Sequence, residues 1–230
     1  VMDPYSASAE FYDVTSRELW ARKRPLIMSG LRGATGTLVD IGAGTGLGTL
    51  ALAETFPSAP IVAIEPSVGM RIALATRVAM TGIEVSVVDG CVPGVELPPR
   101  IGGALCCGVL GHLSASERVS LWTVLAARMD VGAPVVVELM DETAPPAFTL
   151  RIAHTRVGAM EYEVWSTPSD HGWTLRYRVL SAGRCLRELD VPMRWDRIDA
   201  SVLAAEAVGF RCRRIAPDVH VLTRSAGVPG

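Results

Sequence analysis

Val39-Asp40-Ile41-Gly42-Ala43-Gly44-Thr45-Gly46 is a short apolar strand, broken by one acid, that runs into a turn holding three glycines. Two further apolar runs follow at regular spacing, and each ends on an acid: Ile61-Val62-Ala63-Ile64-Glu65 and Val85-Ser86-Val87-Val88-Asp89. Asp40, Glu65 and Asp89 are therefore expected where three consecutive strands end. In a doubly wound sheet those ends line one crevice, and ligands bind there. A crevice rimmed by negative charge suits a cationic nucleotide and repels a diphosphate.

The spacing of the glycines sharpens this reading. A dinucleotide fingerprint requires GxGxxG or GxGxxA. Counted from Gly42 the third position is Leu47, and counted from Gly44 it is Thr49, so neither fits. The pattern is instead acid-x-GxGxG, from Asp40 to Gly46. Glycines let the backbone approach a ligand closely. Asp40 is placed to meet an ammonium group, directly or through water. Glu65 lies about 20 residues past the turn, the reach of an acid that accepts ribose hydroxyls. Asp89 can accept from an adenine amino group, with the N–H of Gly90 or Cys91 on a ring nitrogen. S-adenosylmethionine carries a sulfonium and an ammonium and matches this set.

Outward from the turn, strands alternate with helices. The expected elements are a strand over 38–41, a helix over 46–55, a strand over 61–65, and a helix capped by Ser67 and closed by Gly82. Strands over 83–89, 103–109 and 134–140 follow. The capping box Ser114-Ala115-Ser116-Glu117 opens a helix with Val119, Trp122, Leu125, Ala126 and Met129 on its core face. This rhythm argues a parallel α/β sheet. Upstream, residues 1–34 read as a helical lid in which Thr15 or Ser16 caps and Pro25 breaks or restarts the helix. From 148 to 195 no helix is expected. Trp173, Leu175, Tyr177 and Val179 alternate with Thr174, Arg176 and Arg178, the period of a half-buried strand. Asp170-His171-Gly172 and Ala182-Gly183 read as hairpin turns of an antiparallel meander. A helix over 198–208 and an antiparallel strand pair, 210–215 and 219–223, complete the chain. The domains are thus 1–34, a helical lid; 35–146 with 196–230, a Rossmann-like domain; and 147–195, an inserted antiparallel β meander on the substrate or oligomer side.

Bulk properties exclude several classes. A net charge of -2 leaves no basic footprint for nucleic acid. Mean hydropathy is positive, yet no apolar run approaches the roughly 20 residues of a spanning helix, and no basic-then-apolar leader is read at the start. A cytoplasmic protein is expected, with no membrane or nucleic-acid partner. The five cysteines, Cys91, Cys106, Cys107, Cys185 and Cys212, contain no CxxC. They read as buried free thiols, with neither disulfide framework nor metal site.

The quoted motifs, with Ile64-Glu65-Pro66-Ser67, Val88-Asp89-Gly90 and Gly108-Val109-Leu110-Gly111-His112-Leu113, resemble the class I S-adenosylmethionine-dependent methyltransferases. The resemblance covers about Thr37 to Met140 and the terminal helix and strand pair. It implies an α/β fold, doubly wound, with a seven-stranded Rossmann-like sheet whose last strand is antiparallel. It also implies methyl transfer with S-adenosylhomocysteine as by-product. Cofactor-binding residues on this reading are Asp40, Gly42, Ala43, Gly44, Gly46, Glu65, Pro66, Asp89, Gly90, Cys91 and Tyr12. Val131-Gly132-Ala133-Pro134 departs from the Pro-Gly-Gly turn that often precedes the fifth strand. By layout, the helical start and the meander resemble actinobacterial methyltransferases that act on small natural products, including amino-sugar N-methyltransferases.

On the acceptor side, His112 follows the fourth strand and is the candidate base or orienting group, because histidine titrates near neutrality. Glu138, Asp141 and Glu142, at or past the fifth strand, are candidate anchors for a cationic amine. Tyr5 and Tyr12 are candidates for an aromatic lid over the sulfonium, whereas Phe11 and Trp20 fit packing as well. In the meander, Tyr162, Trp165, His171, Trp173 and Arg176 are candidate substrate walls. The resulting expectation is transfer of a methyl group to a small or peptide-derived natural product, an amine in preference to a hydroxyl. An O-methyltransferase stays open, as does a non-methylating binder of the same nucleotide, either a cyclase or a binding subunit. An exposed edge of the meander is a route to a homodimer.

Overall fold

Asp3 opens the first helix, its carboxylate accepting the Tyr5 N–H at 3.0 Å and the Ser6 hydroxyl at 2.6 Å. In this computed structural model, which describes residues 3–139, 147–169, 172–194 and 196–226, that helix, α1 (Pro4–Gly30), runs through Pro25 without a break. Thr15 and Ser16 do not cap it. Their hydroxyls bond back to the carbonyls of Phe11 and Tyr12, at 2.6 and 2.5 Å, so the expected start there is corrected to Pro4. Pro25 has no N–H to give, so the helix passes it with one backbone bond fewer.

The chain divides into two compact units: Val1–Arg22 with Thr143–Trp195, and Lys23–Glu142 with Asp196–Gly230. In the larger, the elements in order are β1 (Leu38–Ile41), α2 (Leu47–Thr55), β2 (Ile61–Glu65), α3 (Val68–Thr81), β3 (Val85–Asp89), β4 (Gly103–Cys107), α4 (Ala115–Arg128) and β5 (Pro134–Glu138). β1 and β5 are buried along their whole length, as interior parallel strands should be. Ser67 and Gly82 cap α3 as expected, and Ser114 and Glu117 form the full capping box of α4. On α4, Trp122 and Leu125 are buried as expected, but Val119 is exposed; Arg118 and Leu121 take the core face instead.

Downstream, this unit adds α5 (Ala200–Glu206), β10 (Phe210–Arg214) and β11 (Val219–Arg224). The sheet order is β10-β11-β5-β4-β1-β2-β3. β1 to β5 are mutually parallel. β11 is antiparallel to both its neighbours, because the four residues from Ile215 to Asp218 are too few for a crossover. The strand sequence runs outward from β1 to β3 and resumes on the other side with β4, so the switch point lies between β1 and β4.

The smaller unit is an antiparallel sheet ordered β6 (Leu150–Val157), β7 (Met160–Ser169), β8 (Gly172–Ser181) and β9 (Arg184–Met193). The β8–β9 hairpin closes through Ala182 and Gly183, both at positive φ (47° and 75°), a two-residue turn of the primed kind. The expected turn at 170–172 falls largely outside the described residues. Trp173, Tyr177 and Val179 share a buried cluster with Val164, Val191 and Phe11. The Phe11 ring lies 4.9 Å from that of Tyr177 and 5.7 Å from that of Tyr162. The opposite face is a cross-strand ladder of charge, with Arg176 bidentate on Asp190 and Arg178 between Glu163 and Glu188. Among the described residues, no helix is long and apolar enough to cross a membrane.

Candidate functional site

β1 ends by turning sharply through Gly42, Gly44 and Gly46, all at positive φ (67°, 57° and 93°). A side chain at Gly42 would meet Val109 Cγ2 at 2.3 Å, and one at Gly46 would meet Leu74 Cδ1 at 2.6 Å. Glycine is required there both by the turn and by the packing beneath it. Ala43 is buried, and its N–H is given to Ile64 at 2.9 Å, so the turn is stitched to the neighbouring strand.

Asp40 is fully buried and accepts the Thr49 hydroxyl at 2.6 Å. Burial, and then the nearby charge of Glu65, push its carboxyl up to about 7, although the Thr49 bond opposes this. Such a group gains from a cation in its neighbourhood. Glu65, also buried, accepts the Gly44 N–H and the Ser67 N–H at 2.8 Å each. Those two bonds fix its orientation toward the turn. Asp89 is a different kind of acid: its side chain is 73% exposed and pairs with Arg71 at 2.8 Å. Pro66 and Cys91 are exposed, and Gly90, at φ 149°, leaves no room for a side chain against Val95.

Two residues that the sequence reading missed organise these ends. Arg71 donates to the carbonyls of Glu65 and Pro66 as well as to Asp89. Arg77 donates to the Thr45 carbonyl at 2.6 Å. Both project from α3. The signal available was an arginine in the first turns of the helix that follows the second acidic strand.

His112 ends a single 3-10 turn, Leu110–His112, that follows β4. As a residue it is exposed, and desolvation of the ring holds its pKa below the ordinary histidine value. The turn is tied from behind. Arg118 donates to the Leu113 carbonyl at 2.7 Å and is bidentate on Glu206, while the Asp196 N–H reaches the Gly111 carbonyl at 2.7 Å. Glu138, at the end of β5, is buried and paired with Lys23 at 2.5 Å; the same ammonium contacts Asp218. Lys23, the only lysine of the sequence, is thus the partner of two carboxylates.

The remaining candidates belong to the meander unit. Tyr5 packs against its apolar cluster, Tyr12 is exposed, and Trp173 is 7% exposed within the core. Tyr162 meets Glu10, Trp165 donates to Glu163 beneath Arg151, and Arg176 is held by Asp190. Asp141, Glu142 and His171 lie outside the described residues. The cysteines are free, as expected, but Cys91 and Cys185 are exposed rather than buried. Burial pushes the Cys106 thiol up to about 12 and raises that of Cys107 as well.

No protein-family model and no curated protein sequence matches the chain. Solved structures do. Streptomyces venezuelae DesVI superposes with a TM-score of 0.78 at 16% identity, over 98% of this chain and 100% of that one. CalS10 of Micromonospora echinaspora, an amino pentose methyltransferase of calicheamicin biosynthesis solved with S-adenosylmethionine bound, gives 0.73 at 18% identity, covering 98% of each chain. The CcbJ methyltransferase of Streptomyces caelestis gives 0.66 at 18%, over 90% of this chain and 95% of that one. The seven-stranded sheet with its antiparallel penultimate strand, the leading helix and the four-stranded meander therefore make up a fold that this chain shares with solved S-adenosylmethionine-dependent methyltransferases.

Proposed function

We infer that the chain is an S-adenosylmethionine-dependent methyltransferase whose acceptor is a small or peptide-derived natural product, an amine in preference to a hydroxyl. The observation that supports this most is the pair Asp40 and Glu65. Two buried acids flank a glycine turn at the switch point of the sheet, and burial, with the charge of the second beside it, raises the first to about 7. A pyrophosphate would make that electrostatic deficit worse, whereas an ammonium or sulfonium relieves it. When bound, S-adenosylmethionine supplies its methyl group as an electrophile on a positively charged sulfur.

The chain's own residues then bind and orient. Asp40 would meet the ammonium of the methionine moiety, directly or through water, and Glu65, held by Gly44 and Ser67, would accept from the ribose. Asp89 and the N–H groups beyond it would hold the adenine. Holding an acceptor in attack geometry is itself worth several kcal/mol, up to about 7–11. The amine preference draws on the carboxylates of Glu138 and Asp218, and on likeness to a structure whose own substrate is an amino pentose. Calorimetry with S-adenosylhomocysteine, beside NADH as a control, tests the cofactor. Mass spectrometry of products from a panel of amino sugars tests the acceptor. Clean binding of NADH with no response to S-adenosylhomocysteine would end this reading.

His112 favours one second reading. It is exposed on the rim beyond β4, and its depressed pKa keeps it neutral at physiological pH, as a base for a hydroxyl must be. An O-methyltransferase would lose most of its activity in His112→Ala; an amine enzyme would lose far less.

A further inference from the structure

Glu138 closes β5 directly opposite Cys107 of β4, and Cys106 beside it pairs with Ile41, the residue that leads into the glycine turn. With strands about 4.8 Å apart, the backbone of Glu138 stands two strands, about 10 Å, from the glycine turn. Its side chain keeps 11% of its surface open. The groups that face it are Lys23 from α1, Asp218 at the start of β11, and Cys107 from β4, on which the charge of Asp40 also acts. Lys23 and Asp218 are each about one-fifth exposed (21% and 20%), so the cluster reaches water through them more than through Glu138.

The two carboxyls of the cluster differ. Burial raises Glu138, with Lys23 opposing, and a hydrogen bond joins it to Asp218. Asp218, against its own smaller burial, is held low by the Lys23 ammonium. Environments that push two linked acids apart mark out a proton acceptor and its partner. With both ionised the cluster carries a net charge of -1, which draws an ammonium; neutral His112 offers no such attraction.

We propose that Glu138 takes the proton from the ammonium form of an amine acceptor, with Lys23 as the positioning residue that keeps Glu138 ionised and Asp218 as the one that draws the proton onward to water. This rests on reading the chain as an amine methyltransferase. In the step, an N–H bond of the acceptor breaks with its electron pair left on nitrogen, and an O–H bond forms on Glu138. The nitrogen pair is then available for methylation. The proton is shared with Asp218 and leaves to solvent, restoring the carboxylate.

The test uses the full chain as wild type, Glu138→Gln, Lys23→Met and Lys23→Arg. An infrared pH titration without ligands reads the protonated carboxyl band that Glu138→Gln removes. That band should persist to higher pH in Lys23→Met than in wild type, and Lys23→Arg should restore it. In parallel, kcat/KM is followed against pH with whichever amino sugar of a panel the wild type methylates. Glu138→Gln should be about 100-fold slower near neutrality. The deficit should shrink about tenfold per pH unit as the acceptor loses its own proton in water. A deficit that is constant with pH, or a Lys23→Met titration identical to wild type, overturns the proposal and leaves the methyltransferase reading standing. If the wild type methylates no amine, that reading falls first and the proposal with it.

Discussion

The Gly44 N–H donates to Glu65 Oε2 at 2.8 Å, so the acid that ends β2 is bonded into the glycine turn that ends β1. One carboxylate therefore both shapes the turn and faces the crevice. Glu65→Gln replaces one accepting oxygen with a donor and sets it against a backbone N–H. Hydrogen bonds to a charged group are worth about 1.5–3 kcal/mol, so S-adenosylhomocysteine should bind about 10- to 100-fold more weakly, as read by calorimetry. A change of less than about twofold would show that Glu65 serves the turn alone.

Asp40 makes stability depend on pH in an unusual direction. Its folded pKa of about 7 lies above its ordinary value of 3.8, so between those limits the folded state holds a proton that the unfolded state has lost. Stability therefore falls as pH rises from about 4 to about 7 and then levels off. Asp40→Asn keeps an acceptor for Thr49 and should flatten this slope, as urea midpoints at mildly acidic and mildly alkaline pH would reveal.

The same group links donor binding to protons. A cation favours the ionised form of Asp40, so below about pH 7 binding of S-adenosylmethionine should release a proton, and affinity should climb as pH rises through that region. Calorimetry in two buffers of different ionisation enthalpy counts the proton. In Asp40→Asn the difference between buffers should vanish.

Arg118 holds the turn that bears His112. Arg118→Met strands Glu206 and frees the Leu113 carbonyl, and breaking a buried pair from one side costs about 3 kcal/mol or more. Urea denaturation should report that loss. In the folded variant a looser turn should let the His112 pKa rise toward its ordinary value, seen by NMR titration.

Ala182 sits at φ 47° in the β8–β9 turn, a conformation that costs an L residue with a Cβ about 1–2 kcal/mol. Ala182→Gly or Ala182→Asn should stabilise the meander by up to about 1 kcal/mol, read as a higher urea midpoint.

Strand ends and caps were legible in the sequence because each rests on a local rule. The apolar run into Gly42, the acid closing each strand, the Ser114 box and the alternation through Trp173 all stand in the structure. The helix through Pro25 was not legible, since Thr15 and Ser16 carry the same hydroxyls whether they cap a helix or bond back within one. Val119 and Arg118 exchanged places on α4 for a reason that depends on distance: the partner of Arg118 is Glu206, 88 residues away. Lys23 finds Glu138 and Asp218 across separations of 115 and 195 residues, and no periodicity announces a contact of that kind.

Strand β11 fills the gap between β5 and β10, pairing Val221 with Val136. Everything needed for the glycine turn and its acids is translated long before that strand emerges from the ribosome. Until it does, the nascent sheet presents the bare backbone edge of β5, an apolar strand of the kind that recruits wrong partners. Translation order thus makes the arrival of β11 the step that shields a half-finished fold from aggregation.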